Sequence, residues 1–203
     1  MLKLELSSSS FVNTVITDHR GRPLYHLTTS TGMWKAGPTR IYRVGGGANG
    51  TGEIATITWR AYRSTQVNYR GFKMDMKTFM PKAGFWSGKR TLTGPDGTRY
   101  YWKKRWGKPA DLKRESGNGR SAKRVMRIRK PFMSSRTYME IDREAEHMLE
   151  LIIVGAAFME RERLGADSDV DGGDADDGDA DGGDADGGDY LAAMASTGYG
   201  GGY

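Results

Sequence analysis

The residues with the most obvious capacity for chemistry lie between Lys103 and Lys130. Lys103, Lys104, Arg105, Lys108, Lys113, Arg114, Arg120, Lys123, Arg124, Arg127, Arg129 and Lys130 crowd this stretch, and Trp102 and Trp106 flank its first cluster. Cations so spaced attract phosphate surfaces, each Lys or Arg contributing about 1 kcal/mol near an anionic membrane. Aromatics beside them can sit at headgroup level or stack on bases. All of these cations except Arg120 and Lys130 are taken as candidates for binding an anionic ligand, with Trp102 and Trp106 as an aromatic flank. The plainer reading is a solvated outer face of strands, because a basic run is first of all an electrostatic footprint.

Other motifs offer less. Gly45, Gly47 and Gly50 satisfy G-x-G-x-x-G, but a dinucleotide site needs that run between a strand and a helix. Here a strand pattern follows, so the expectation is an inter-strand loop. Asn49-Gly50-Thr51 forms a glycosylation sequon, which is idle without secretion. Asp167, Asp169 and Asp171 open like a calcium loop, yet position twelve is Gly178 rather than the glutamate that chelates the ion. The Gly-Gly-Asp-Ala-Asp repeats that follow lack the apolar residue each turn of a calcium-binding β-roll buries. His19, His26 and His147 are scattered, and His26 and His147 are given packing or surface roles. The chain has no cysteine, which removes thiolate nucleophiles, cysteine metal sites and disulfides together. With no G-x-S-x-G and no His-Glu-x-x-His, no enzyme, cofactor or metal is expected.

The net charge of +6 conceals a division. Eleven of the 25 acidic residues, all Asp, lie beyond Gly165 with no Lys, Arg or Glu among them; the preceding 164 residues hold 31 basic against 14 acidic side chains, a net of +17. Gly, Ala and Asp cannot offset ordering entropy by burial, so residues 165–203 read as a disordered acidic tail.

The elements that must carry the basic stretch are mostly strands. Phe11–Ile16 and Leu24–Thr28 flank an Asp-His-Arg-Gly-Arg-Pro turn. Arg40–Val44, Glu53–Arg60, Tyr62–Tyr69 and Phe72–Asp75 continue the series with period-two alternation. Arg90–Thr93 and Thr98–Lys103 flank Gly94-Pro95-Asp96-Gly97, the clearest hairpin in the chain. Ala110–Glu115, Ala122–Arg129 and Tyr138–Ile141 complete ten to twelve strands. One helix follows, from Arg143 to Leu164. Its middle, Met148–Met159, is apolar at eleven of twelve positions, so it must be buried on every side. Met148, Leu149, Leu151, Ile152, Ile153, Val154 and Phe158 are its structural core, Asp142 its expected N-cap and Gly165 its expected C-cap. A twelve-residue segment with eleven apolar positions, broken by Glu150, is too short for a transmembrane span, which needs about 20. Glu150 therefore requires a partner such as Arg or Tyr. A long antiparallel sheet accommodates such a helix by closing into a barrel around it.

The order of these segments resembles the fungal DUF6593 family, grouped with tubby C-terminal-like and LURP-one-like barrels. The opening NTVITDHRGRPLYHLTT, the segment EIATITWR, the hairpin TGPDGTRYYWK and the helix EAEHMLELIIVGAAFMERER carry the likeness. It implies a mainly β (β+α) domain at residues 10–164, a twelve-stranded closed antiparallel barrel around the central helix, with residues 1–9 as a lead-in. Tubby-like relatives include phosphoinositide binders and scramblase-like proteins, while the fungal family implies no settled activity. The expected function is a non-enzymatic module docking on anionic phospholipid through its basic surface, the tail acting as an electrostatic brake. A nucleic-acid-associated protein using the same surface and a lipid-scrambling-like protein are the alternatives. No basic n-region followed by an apolar h-region opens the sequence, so an intracellular place, cytoplasmic or at the membrane periphery, is expected.

Overall fold

In the computed structural model, the structure describes residues 1–11, 13–31, 36–45, 51–60, 64–84, 89–105, 108–115, 122–130 and 137–166. The segment that is apolar all round is a helix. Asp142 caps it, its carboxylate accepting the Glu144 N–H at 3.2 Å. The first six residues, Arg143–Met148, wind as a 3-10 helix, and α2 (Leu149–Ala166) continues as α-helix. Gly165 thus lies inside α2 rather than terminating it. From Glu150 to Glu160 every residue of α2 is buried. Ile152, Ile153 and Val154, which point in three directions about 100° apart, are all 0% exposed.

Twelve strands supply the cover: β1 (Leu2–Leu6), β2 (Thr14–Thr17), β3 (Pro23–Thr31), β4 (Ala36–Val44), β5 (Thr51–Thr58), β6 (Gln66–Tyr69), β7 (Phe72–Asp75), β8 (Lys89–Thr93), β9 (Arg99–Arg105), β10 (Lys108–Arg114), β11 (Arg124–Arg129) and β12 (Thr137–Ile141). They form one antiparallel sheet in the order β7-β6-β5-β4-β3-β2-β1-β12-β11-β10-β9-β8. Two meanders therefore meet where the first strand pairs with the last. Residues 1–9 are more than a lead-in: Leu4 and Leu6 of β1 are buried, and β1 hydrogen-bonds to both β2 and β12.

The sheet must curl. Helix α2 packs against β5 and also against β10, seven strands away in the sheet order. Laid flat at about 4.8 Å per strand, those positions would be roughly 34 Å apart, several times the radius of a helix. Among the described residues, β7 and β8 are not hydrogen-bonded to each other, so the sheet is wrapped but not closed by its own edges. An unforeseen short helix, α1 (Met76–Phe79), packs on β6 and β7 at this seam. The residues after it line β8: the Thr91 N–H donates to the Pro81 carbonyl at 2.8 Å and the Ala83 N–H to the Lys89 carbonyl at 3.0 Å.

The expected hairpin is present. The Gly94 N–H donates to the Thr98 carbonyl, and Gly97 takes φ +75, a conformation glycine adopts without cost. Trp102, on the inner face of β9, is 0% exposed. Its ring lies against Gly155, where a Cβ would stand only 2.8 Å from Nε1. No described helix is long and apolar enough to cross a membrane.

Candidate anionic-ligand surface

Strand parity divides the basic stretch. On β9, Tyr100 and Trp102 face the core, while Tyr101 and Lys103 face outward. Register then carries the outer row across the sheet: Lys103 pairs with Lys89 on β8 and with Asp111 on β10, and Lys113 pairs with Tyr101 on one side and Arg124 on the other. The Lys89 ammonium lies 5.0 Å from the Tyr101 ring centroid. Arg127 and Arg129 extend the row opposite Glu140 and Tyr138 of β12.

Five cations of the stretch have carboxylate partners. Lys104 reaches Glu162 at 3.0 Å, and Lys130 reaches Glu160 at 2.7 Å. Arg114 and Lys123 meet Glu144 at 3.4 and 2.8 Å, and Lys123 also meets Asp142 at 3.1 Å. Arg129 holds Glu140 at 3.0 Å. Hydrogen bonds to Glu144 and then Asp142 raise the Lys123 ammonium above its ordinary value, and the Lys123 bond chiefly lowers Asp142. The Arg114 and Lys123 pairs tie the outer strands to the start of the central helix. By contrast, Lys103, Lys108, Lys113, Arg124 and Arg127 make no ion pair among the described residues.

The aromatic flank fails at Trp102. Its side chain is sealed in the core because it shares the inward face with Tyr100, so it cannot accompany the cations at the surface. The half-buried Tyr101 takes that place. Trp106, Arg120 and the side chain of Arg105 lie outside the described residues, as do Gly47, Gly50, the Asp167–Asp171 motif and the acidic tail.

The central helix carries its own charges. Glu150 finds the partners its burial demands: Arg70 donates to it at 2.9 and 3.1 Å, and Arg43 stands at 3.5 Å. Burial first, and the neighbouring Glu150 second, push the Tyr69 phenol well above its ordinary value. Arg70 occupies the left-handed region at φ +49, a costly conformation for a side chain of this kind. Glu160 accepts from Lys130 and Arg163, and Glu162 from Arg90 and Lys104. Burial raises both carboxyls, but these bonds outweigh it and hold both below their ordinary value. The sequence calls for a partner only at Glu150 and gives no sign of the pairs at Glu160 and Glu162. Nothing in the local spacing marks partners 30 to 107 residues apart.

Among the described residues, no group of three His, Asp or Glu side chains could hold a metal ion. His147 stands 3.5 Å from Asp96, linking the helix start to the β8–β9 turn.

The model of a family of unknown function, DUF6593, matches residues 9–164. An X-ray structure of a protein from Arabidopsis thaliana is similar over 75% of this chain and 88% of that one, with 11% sequence identity and a TM-score of 0.37. No curated protein gives a match.

Proposed function

This chain belongs to the DUF6593 family, and from its own surfaces we propose that it is a non-enzymatic module docking on anionic phospholipid membranes. The binding face is the outer side of β8 to β11, and the wrapped sheet is a tubby C-terminal-like barrel with phosphoinositide lipids among its targets. One observation carries the reading: Lys103, Lys113, Arg124 and Arg127 stand on adjacent strands around Tyr101 without an ion pair among the described residues. Each cation near an anionic surface contributes about 1 kcal/mol, so these four supply about 4 kcal/mol, roughly a thousandfold in partitioning. Tyr101 is amphipathic and suits the headgroup level. The eleven aspartates beyond Gly165 compete with lipid for the same cations and act as a brake.

The test is co-sedimentation with phosphatidylserine vesicles and neutral vesicles, at low and at physiological salt. The full chain is compared with a chain ending at Ala166 and with the Lys103→Glu/Lys113→Glu variant. The expected result is binding to acidic vesicles only, tighter without the tail and at least tenfold weaker in the variant. Absence of binding at physiological salt by every form would sink the proposal. Binding to duplex DNA with a steep logarithmic salt dependence, stronger than to vesicles, would favour a nucleic-acid partner instead.

A further inference from the structure

A cleft of about 280 Å³ opens at the seam, between α1, β8 and the C-terminal half of α2. Its floor is a stack of four groups. The Trp59 and Phe158 rings lie parallel, 6.0 Å apart with an interplanar angle of 5°. The Arg90 guanidinium lies over the Phe158 ring and that of Arg161 over the Trp59 ring, each 4.7 Å from the ring centroid. The stack is fixed from behind: the Trp59 indole N–H donates to Thr39 Oγ1 at 2.8 Å, and Thr39 shares a 2.7 Å hydrogen bond with buried Thr29.

The two arginines are not equivalent. Arg90 is neutralised by Glu162 and donates to the Met80 carbonyl. Arg161 has no carboxylate partner among the described residues, and burial alone pushes its guanidinium below its ordinary value. This sets it apart from the other charges of α2: Glu150, Glu160 and Glu162 each meet two cations, and Arg163 meets Glu160. Lys77, on the same cleft wall, also has no ion pair among the described residues, and Ser64 and Thr65 add hydroxyl donors. A half-desolvated cation without a counter-charge costs free energy that an external anion would recover.

We propose that this cleft binds a phosphate monoester of headgroup size. Arg161 and Lys77 meet the dianionic phosphoryl oxygens, the hydroxyls of Ser64 and Thr65 supply further donors, and the apolar part of the lining, Met76 and the edge of Trp59, meets the carbon skeleton of the ester. A forked guanidinium, an ammonium and two hydroxyls match the many acceptor sites of a phosphoryl group better than those of a carboxylate. A volume near 280 Å³ is at or below the lower end of the roughly 300–1,000 Å³ typical of ligand pockets, so the occupant is the size of a glycerol or inositol phosphate. The source is a soluble phosphate ester or the headgroup of a monoester lipid. The site lies apart from the outer basic face and does not depend on that reading.

Calorimetric titration of the full chain with glycerol 3-phosphate tests the soluble source. Co-sedimentation with vesicles containing phosphatidic acid, against phosphatidylserine vesicles of equal charge, tests the lipid source. The expected result is saturable binding to at least one monoester probe and a preference for phosphatidic acid over the diester lipid if the source is membrane. Arg161→Gln and Lys77→Ala should each weaken monoester binding tenfold or more, while Arg20→Ala, at an exposed position in the turn between β2 and β3, changes it less than twofold. Lys77 is exposed on α1, so its removal leaves the core intact even if Arg161→Gln disturbs the stack. If neither monoester probe binds, or if both variants bind as the parent does, the proposal is overturned. Loss of phosphatidylserine binding alone would instead count against the outer face.

Discussion

Gly155→Ala should destabilise this protein, although the same change in an ordinary helix would stabilise it. Alanine in place of glycine at a helix interior gains about 1 kcal/mol. At position 155 the new Cβ would stand 2.8 Å from Nε1, 2.9 Å from Cζ2 and 3.0 Å from Cε2 of Trp102. Carbon contacts are comfortable at about 3.5–4.0 Å, so three atoms of a rigid ring are overlapped at once. Trp102 is fully buried and cannot swing away without displacing its neighbours. Overpacking of that kind costs about 1–3 kcal/mol; with several atoms engaged the upper half of the range applies, leaving a net loss of about 1–2 kcal/mol after the helix gain.

Urea denaturation followed by far-ultraviolet circular dichroism measures this directly, and the melting temperature should fall by about 2–8 °C for a chain of this size. The Trp102→Phe background separates the causes. Phenylalanine is smaller and removes an indole N–H that has no hydrogen-bond partner among the described residues, so Gly155→Ala should be less costly there, and the double-mutant cycle should show coupling of about 1 kcal/mol. A Gly155→Ala protein more stable than its parent, with no coupling to Trp102, would falsify the close helix-to-wall contact.

Arg70→Ala should cost about 2 kcal/mol, less than the roughly 3–5 of a fully buried pair, because Arg43 and Tyr69 still face Glu150. Arg70→Gly should be the milder change by about 1 kcal/mol, since it removes the left-handed strain while losing the same ion pair; equal unfolding midpoints for the two would refute this. Stability should fall in acid. Glu160 and Glu162 have folded values below their ordinary ones, so their contribution is complete above about pH 4.3 and is lost as pH drops through the folded values. The Glu160→Gln/Glu162→Gln variant should be less stable than the parent at pH 7 but flatter with pH, and parallel urea midpoints between pH 6 and 3 would contradict it. Asp18 is held at about 2, first by the Arg22 backbone N–H, against 3.8 ordinarily. Its share is present above about pH 4 and lost toward pH 2, so Asp18→Asn should lose that part of the acid transition in nuclear magnetic resonance titration.

The central helix was legible because nothing else explains eleven apolar residues in twelve, and the strands because Gly, Pro and Asp punctuate them. The first strand was missed although its signal was present: Leu2, Leu4 and Leu6 alternate with Lys3 and Glu5. Trp102 could also have been placed, since it is adjacent to Lys103 in a strand and the two must point to opposite faces. The 3-10 winding of residues 143–148 and the helix α1 could not, because both depend on how the chain turns into and across the seam. The cleft was equally hidden. Trp59 lies at the end of a strand pattern and Arg161 at the end of the helix, and only the curl of the sheet brings residues a hundred positions apart together.

That curl also alters what the charge count means. A body with a net +17 suggests a uniformly basic exterior, yet many cations are turned toward the helix. Arg43, Arg70, Arg90, Lys104 and Lys130 serve Glu150, Glu160 and Glu162, while Arg114 and Lys123 fasten the helix start. An apolar helix with buried carboxylates near both ends needs a wall that supplies countercharges at matching heights, and each such pair fixes the axial position of α2 inside the sheet. Hydrophobic burial alone would leave the helix able to slide or rotate, because its apolar surface is the same on every side. The positive charges therefore include a register-setting group at the two ends of the helix and, within the basic stretch, an outward group without ion pairs among the described residues, Lys103, Lys108, Lys113, Arg124 and Arg127. Neutralising the first group should shift stability, and neutralising the second should shift binding, so measuring both on the same variants separates the two roles of one basic stretch.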